Sequence, residues 1–154
     1  MPHPPNDRES VILPTRRPAT VPTLLIGGRL LPIPSGVALE LGSARNVSLR
    51  LTGRGVAERH ACFVRLADGR VLVRALDPAA PVRCDGRIID SEAIEAGAVL
   101  GIGRAVVVLG ESGFSPRYPD AFRWQGMLAR DPSSLESISR LATVAGRSAP
   151  VWVA

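Results

Sequence analysis

Lysine is absent from this chain of 154 residues, and all 19 of its basic side chains are arginine. Against 14 acidic residues they give a formal net charge of +5, but they are scattered from Arg8 to Arg147 without a block of like charges. Aromatic side chains that could stack on bases are also few, with three Phe, two Trp and one Tyr. Because a basic stripe and stacking platforms are both missing, we expect no direct nucleic-acid binding.

Cysteine and long apolar runs are equally sparse. The two cysteines, Cys62 and Cys84, form no Cys-x-x-Cys pair, which excludes a zinc knuckle and a disulfide framework. No run approaches the roughly 20 apolar residues of a membrane span. The proline-rich N-terminus is too broken to be a signal peptide. We therefore expect no membrane segment and a location in the reducing cytoplasm.

The residues that are present favour a folded, mainly β chain. Hydrophobic residues make up 45% of the sequence and charged residues 21%, which is enough apolar material for a core. Residues 1–21 are proline-rich and predict a flexible tail. From Thr23 to Gly110 about ten short apolar runs alternate with turns, and two of these turns are the dipeptides Asp68-Gly69 and Asp85-Gly86. This pattern predicts an antiparallel β-sandwich or barrel.

The sequence changes character after Gly110. Residues 113–125 are predicted to form a linker, although several aromatic residues there could dock onto a neighbouring surface. The run "DPSSLESISRLATVAG" then predicts a helix, with Asp131 as N-cap, Pro132 in the first turn, and capping-box spacing from Ser133 to Glu136. Gly146 suits the helix C-terminus. The final "APVWVA" is strand-like, and we expect it to belong to a second domain that the chain only begins.

The stretch "GRGVAERHACFVRLADGR" places His60 and Cys62 two positions apart in a chain with two histidines and two cysteines. On a strand both side chains would point to one face, as two ligands of one metal would. A zinc site needs three or four ligands, however, and the other histidine and cysteine lie far away in sequence. We therefore expect His60 to brace a loop and Cys62 to pack as a small core residue.

Other candidate sites are weaker still. The glycine-rich pieces "IGGR", "LGSAR" and "GIGR" match no phosphate-binding loop, because none leads from a strand into a helix. Asp90, Glu92 and Glu95 cluster on what reads as a solvated turn, so they form no convincing acid/base pair. We expect neither a catalytic nor a metal site in this chain.

The order of elements is informative. A strand ending in glycine, "LELGS", is followed by "VSLRL", "VAERHACFV", a hairpin, an Asp-Gly turn and "IEAGAVLGIG". Over residues 22–112 this order resembles the forkhead-associated (FHA) domain. The resemblance implies a sandwich of about eleven strands that binds phosphothreonine peptides through loops at one end. The family's motifs are Gly-Arg after an early strand, Ser-Arg-x-His before a hairpin, and a later Asn-Gly-Thr-x-x-Asn-Gly.

Carried onto this sequence, the first two motifs are only partly kept. Gly42 matches the first glycine, but Ser43 stands where the family has a phosphate-clamping arginine. Ala57 and Glu58 replace the serine and arginine of the second motif, and His60 alone keeps its place. Gly42 and His60 are therefore expected to be structural residues.

The third motif and the flanking loops supply the remaining candidates. Asp85 and Gly86 replace an Asn-Gly pair, while "PAAPV" stands in place of the earlier Asn-Gly-Thr. Together with Ser43, the candidate peptide-binding residues are Arg45, Arg54, Arg59 and Asp85, with Arg45 and Arg54 as possible substitutes for the missing phosphate donors.

These departures matter for phosphate binding. Charge-assisted hydrogen bonds to a phosphate contribute about 1.5–3 kcal/mol each, and three such donors are replaced. The Glu58 carboxylate would add like-charge repulsion. We expect a degenerate site that does not bind phosphothreonine in the usual way.

Residues 126–154 are similar to the opening of the AAA+ domain of bacterial sigma-54-dependent activators, where a helix leads into a strand before the phosphate loop. This resemblance implies that the chain is the N-terminal regulatory part of such an activator and receives a protein partner, phosphorylated or unphosphorylated. ATP and Mg²⁺, like sigma-54 RNA polymerase, would then be bound only by a downstream AAA+ domain. The alternative is a freestanding FHA adaptor whose C-terminal helix packs on the sandwich.

Overall fold

The computed structural model describes residues 20–113 and 121–145. They contain thirteen strands and one helix. In chain order these are β1 (Val21–Ile26), β2 (Arg29–Pro32), β3 (Ala38–Gly42), β4 (Leu49–Arg50), β5 (Ala61–Arg65), β6 (Val71–Ala75), β7 (Val82–Cys84), β8 (Arg87–Ile89), β9 (Ser91–Ile94), β10 (Val99–Ile102), β11 (Ala105–Gly113), β12 (Ala121–Trp124), β13 (Met127–Ala129) and α1 (Pro132–Ala145).

The strands form two sheets, which we call sheet A and sheet B. Sheet A runs in the order β13-β12-β11-β10-β7-β8, with β1 paired to both β11 and β2. Sheet B runs in the order β4-β3-β5-β6-β9. Pairing between the named strands is antiparallel except between β3 and β4. The predicted antiparallel sandwich is confirmed.

The core lies between the two sheets and is aliphatic, with Phe63 as its largest fully buried side chain. Alternation explains which residues reach it, because successive side chains of a strand point to opposite faces. Leu39 and Leu41 are buried as the sequence pattern indicates, but Val37 is 48% exposed because β3 begins one residue later.

The turns form where the dipeptides predict them. Asp85 and Gly86 connect β7 to β8 with φ values of 47° and 86°, as a tight two-residue hairpin requires. Asp68 and Gly69 lie in the connection between β5 and β6, where Gly69 has a φ of 88°. Gly103, with a φ of 58°, connects β10 to β11. These turns set the registers that position the loops.

Two expected boundaries differ in the structure. Val21, which the sequence placed in the flexible tail, pairs with Ser112 as the first residue of β1. Within the predicted linker, Ala121–Trp124 form β12, which extends sheet A beside β11. Phe122 and Trp124 are buried in one apolar cluster with residues of α1. The segment is therefore a strand of the sandwich at these positions, where the sequence predicts a linker. The predicted tail over residues 1–19, Phe114 and Tyr118 lie outside the described residues.

The predicted helix is present, and its first turn is capped by Asp131. The Asp131 carboxylate accepts hydrogen bonds from the backbone N–H groups of Ser133 and Ser134, at 3.1 and 3.0 Å. Glu136 does not complete a capping box, because with Asp131 as N-cap the third helical position is Ser134; the Glu136 carboxylate pairs instead with Arg140 one turn later. The C-terminal glycine, Gly146, and the strand expected at 149–154 lie outside the described residues.

One face of α1 packs on the outer side of sheet A. Leu135, Ile138 and Ala142 are buried there against Phe122 and Trp124 and form a second apolar cluster. The described residues contain no helix that is long and apolar enough to cross a membrane.

Candidate functional site

His60 joins three segments at one end of the sandwich. Its side chain is fully buried, and Nδ1 accepts a hydrogen bond from the backbone N–H of Ala57 at 3.1 Å. The proton therefore sits on Nε2, which lies 3.4 Å from the carbonyl oxygen of Pro81. The backbone of His60 also bonds to Leu41 and Leu76 at 2.9 Å each. His60 thus connects these segments, with both ring nitrogens engaged.

Gly42 allows a close crossing of the chain above β3. A Cβ atom at this position would lie 2.0 Å from the carbonyl oxygen of Glu58, so only glycine fits. The backbone N–H groups of Ser43 and Ala44 donate to the carbonyl oxygens of Ala57 and Glu58, at 2.8 and 3.1 Å. The loops after β3 and before β5 are thereby joined by their backbones.

A third contact was not predicted from the sequence. Gly103, in the turn between β10 and β11, approaches Gly55 so closely that a Cβ on Gly103 would lie 2.7 Å from the Gly55 carbonyl. We call this side of the sandwich the loop end, comprising loops 43–48, 53–60 and 76–81, and the turn at 103–104 lies against it. The repeated glycines were the only sequence signal for this contact, and sequence alone does not indicate which glycines meet.

Four of the five candidate peptide-binding residues, Ser43, Arg45, Arg54 and Arg59, lie at the loop end. Ser43 is half-buried, and its carbonyl oxygen accepts a hydrogen bond from Nε of Arg50 at 3.1 Å. Arg45 and Arg54 are exposed on the loops at either side. No hydrogen bond or ion pair occupies their guanidinium groups among residues 20–113 and 121–145. These two arginines are therefore available to a partner.

Arg59 is already engaged. Its guanidinium makes a bidentate ion pair with Glu40 of β3, with Nε 2.7 Å from Oε2. The hydrogen bond raises the pKa of Arg59 and lowers that of Glu40, so the pair is charged at neutral pH. An incoming anion would have to displace the carboxylate, which makes Arg59 the poorest of the arginine candidates.

Asp85 and Gly86 lie at the opposite end of β7 from the loop end. Val82 pairs with Ile102, next to the turn at 103–104, whereas Cys84 pairs with Leu100 further along β10. The four steps from Pro81 to Asp85 span about 13 Å of extended chain. The Asp85 carboxylate accepts the N–H of Val99 at 3.0 Å. The structure thus separates Asp85 from Ser43 and places it in a structural turn.

The cysteines do not combine with His60. Cys62 lies on the outer face of sheet B, opposite Glu40 and Arg74, and does not pack in the core as expected. Cys84 is the buried cysteine, and burial raises the pKa of its thiol to about 11. Across the described ranges, no group of three or more metal-ligating side chains occurs.

No protein-family model and no curated protein sequence matches this chain. Solved structures do match. The chain is similar to the FHA domain of the CT664 protein from Chlamydia trachomatis, with 21% identity and a TM-score of 0.54 over 59% of this chain and 96% of that one. It is also similar to the FhaA FHA domain complexed with the intracellular domain of Rv3910, with 19% identity and a TM-score of 0.52 over 57% and 98%.

A third similar structure is Mycobacterium tuberculosis EmbR in complex with a low-affinity phosphopeptide, with 19% identity and a TM-score of 0.54. The match covers 62% of this chain and 25% of EmbR. At such identities the likeness concerns the fold, and it agrees with the two β-sheets of the sandwich. The sandwich has the forkhead-associated fold.

Proposed function

We propose that this chain is a non-catalytic protein-interaction module that receives a protein partner at the loop end, and that it does not bind phosphothreonine in the usual way. The observation that carries the proposal is the combination of a rigid frame and free cations. His60, Gly42 and Gly103 fix the loops, while Arg45 and Arg54 are exposed on them. Loops held by a rigid scaffold are the usual place for recognition residues.

The chemistry of the frame supports the absence of an ordinary phosphate clamp. Ala57 has no hydroxyl group, and its carbonyl oxygen already accepts the Ser43 N–H. The exposed Glu58 carboxylate would repel a phosphate dianion. Arg59 is paired with Glu40, so a partner would meet Arg45 and Arg54 as the loop-end cations that no described side chain pairs.

A non-catalytic role agrees with the state of the residues that could do chemistry. Both ring nitrogens of His60 are hydrogen-bonded within the fold. The Cys84 thiol is buried, and its raised pKa keeps it protonated and unreactive at neutral pH. Neither residue is placed to act on a substrate.

Calorimetric titration with a phosphothreonine peptide library, and with the same peptides unphosphorylated, tests both halves of the proposal. We expect any peptide that binds to bind with or without its phosphate. Its affinity should fall in the double variant Arg45→Ala/Arg54→Ala and persist in Arg74→Ala/Arg123→Ala, which removes two exposed arginines elsewhere. Micromolar binding that dephosphorylation abolishes would contradict the degenerate site, and binding unaffected by the loop variant would contradict the location.

The wider context is a second step of the same proposal. From the resemblance of residues 126–154 to sigma-54-dependent activators, we infer a regulatory module in a cytoplasmic transcriptional activator, where it controls a ring ATPase. ATP, Mg²⁺ and sigma-54 RNA polymerase would then bind to the AAA+ portion. Support comes from the sequence resemblance and from the order of an FHA fold followed by that segment.

The adaptor alternative has a specific observation in its favour. The buried face of α1 packs on sheet A through Leu135, Ile138 and Ala142, as expected of a helix that belongs to the sandwich. Reading the coding sequence beyond the Ala154 codon separates the two. A Gly-x-x-x-x-Gly-Lys phosphate loop would support the activator, whereas a stop codon would contradict it and leave the adaptor.

A further inference from the structure

A groove runs along one flank of α1. Its other walls are the turn between β1 and β2, strand β4 with the residues after it, and the start of β11, and it encloses about 660 Å³. The α1 flank extends from Pro132 to Thr143. At ~1.5 Å per helical residue these eleven steps give a groove about 16 Å long, the length of roughly five extended residues.

The groove is basic. Four arginines contribute to its walls, namely Arg29, Arg50, Arg104 and Arg140, against the single acid Glu136. Glu136 is paired with Arg140, with the two side chains 2.6 Å apart. Arg29 and Arg104 are exposed and have no hydrogen-bond or ion-pair partner in the part of the chain that the structure describes. Arg50 uses Nε toward Ser43, so its two terminal nitrogens remain available.

We propose that this groove binds an anionic polypeptide segment of about five residues, through carboxylate or phosphate groups held by Arg29, Arg50 and Arg104. The guanidinium fork matches either oxyanion in a bidentate geometry. Three arginines that no ion pair neutralises within residues 20–113 and 121–145 line the groove from β2, β4 and the turn before β11, which are far apart in sequence. Bringing like charges together costs free energy in the absence of a ligand, and an oxyanion would offset that cost.

A polypeptide fits the walls better than a nucleic acid does. No aromatic side chain lines the groove, so bases would find no stacking platform. Leu49 and Val106 instead give it an apolar floor suited to the side chains between the charged positions. The Glu136 carboxylate in the helix wall would repel the continuous phosphate backbone of a nucleic acid. A peptide can place an uncharged residue beside Glu136 and its anionic residues beside the arginines.

This inference goes beyond the proposed function, because the groove is a second site beside the loop end and uses neither Arg45 nor Arg54. The two proposals therefore fail independently. Loss of binding in the Arg29→Gln/Arg104→Gln variant concerns the groove, and loss in Arg45→Ala/Arg54→Ala concerns the loop end.

The test titrates the full chain with hexaglutamate, with a six-residue peptide carrying two phosphoserines, and with hexathymidylate, at low salt and by amide chemical-shift perturbation. We expect a peptide to shift the amides of Gly28, Thr52 and Thr143, which line the groove. Arg29→Gln/Arg104→Gln should weaken binding about tenfold or more, as the loss of charge-assisted bonds implies. The matched control Arg74→Gln/Arg123→Gln removes the same charge outside the groove and should change the affinity less than about twofold.

The outcomes separate the possible anions. Equal binding of both peptides identifies any oxyanion segment, and preference for the phosphoserine peptide identifies a phosphorylated one; both support the proposal. Tighter binding of hexathymidylate, no shift of the groove amides, or equal weakening in the control variant would overturn it. Both arginines of the test variant are exposed, so a circular dichroism melt close to that of the parent chain is expected to confirm that it folds.

Discussion

The backbone carbonyl of Glu58 passes so close to Gly42 that a Cβ atom on Gly42 would lie 2.0 Å from the Glu58 oxygen. This contact places the loop before β5 directly over the end of β3. It also explains why this position requires glycine. Gly42 serves the crossing of two chain segments, and the crossing fixes where the loop end lies.

We predict that Gly42→Ala destabilises the fold by about 2–3 kcal/mol, because the new methyl group must displace backbone atoms. Gly53→Ala is the matched control. Gly53 needs no positive φ, and a Cβ there would meet its nearest atom, Cγ2 of Val56, only at 3.9 Å. Its effect should stay within about 0.5 kcal/mol. Urea unfolding measures both, and equal stabilities of the two variants would show that the crossing is looser than described.

We predict that His60→Ala costs about 2–4 kcal/mol, since it removes a fully buried ring and leaves the Ala57 N–H without its acceptor. His60→Asn should recover part of this loss, because an amide oxygen can replace Nδ1 as acceptor. The neighbouring variant Arg59→Ala breaks only an exposed ion pair and should unfold close to the parent chain. Denaturant titration at pH 7 measures the free energy of unfolding of each variant. A loss below about 1 kcal/mol in His60→Ala would argue that His60 does not hold the loops together.

The two thiols should differ in reactivity. Burial raises the pKa of Cys84 to about 11, so at pH 8 only about one molecule in a thousand carries its thiolate. Burial is also the main cause of a raised pKa at Cys62, but this thiol is partly exposed. In the folded Cys84→Ser variant, the remaining Cys62 thiol should react slowly with Ellman's reagent. In the folded Cys62→Ser variant, the remaining Cys84 thiol should hardly react at all. Both should react after unfolding in guanidinium, and rapid native reaction of Cys84 would contradict its placement.

The helix should contribute to the stability of the sandwich. Ile138 is 4% exposed against sheet A, so Ile138→Ala is expected to cost about 2–4 kcal/mol. Leu141, on the outer side of the same helix, is 36% exposed and its alanine variant should cost less than about 1 kcal/mol. Because Trp124 packs beneath α1 and donates its Nε1–H to the Gly97 carbonyl, its fluorescence reports the transition. Similar costs for both variants would show that α1 does not dock as described.

The N-terminus of α1 should respond to pH through Asp131. Hydrogen bonds from Ser133 and Ser134 lower the pKa of this carboxyl group in the folded chain. Its stabilising effect is therefore present above the unfolded pKa, about 4, and is lost as the pH falls through the lower folded pKa. Asp131→Ala should lower Tm by a few degrees at pH 7, with a smaller difference from the parent chain in strong acid. Asp131→Asn keeps a cap without a charge and should stay closer to the parent chain. Thermal melts from pH 7 to pH 2 measure this, and a constant Asp131→Ala difference would contradict it.

Much of the fold follows from local patterns. The Asp-Gly turns at Asp68-Gly69 and Asp85-Gly86 need positive φ values that few residues adopt, so the hairpins are readable from the sequence. Alternation likewise identifies Leu39 and Leu41 as core residues. It does not identify β12, because this short strand is recognisable only by the partner it pairs with and the helix that covers Phe122.

The candidate site was less accessible to sequence reasoning. The resemblance to the family motif placed Asp85 with the other candidates, but β7 carries it to the far end of the sheet. Cys62 was expected in the core, yet the register with Glu40 and Arg74 turns it outward. A shift of one residue in a strand reverses the face of a side chain, so the face depends on pairing.

By itself, the sequence determined the β class, the hairpins and the capped helix. These depend on backbone preferences and on which residues alternate, and both are local properties. Only the tertiary structure decided that Gly103 meets Gly55, that Arg59 is paired with Glu40, and that Arg29, Arg50 and Arg104 share one groove. Such contacts join segments distant along the chain, and their positions are set by strand order and register, which no single segment encodes.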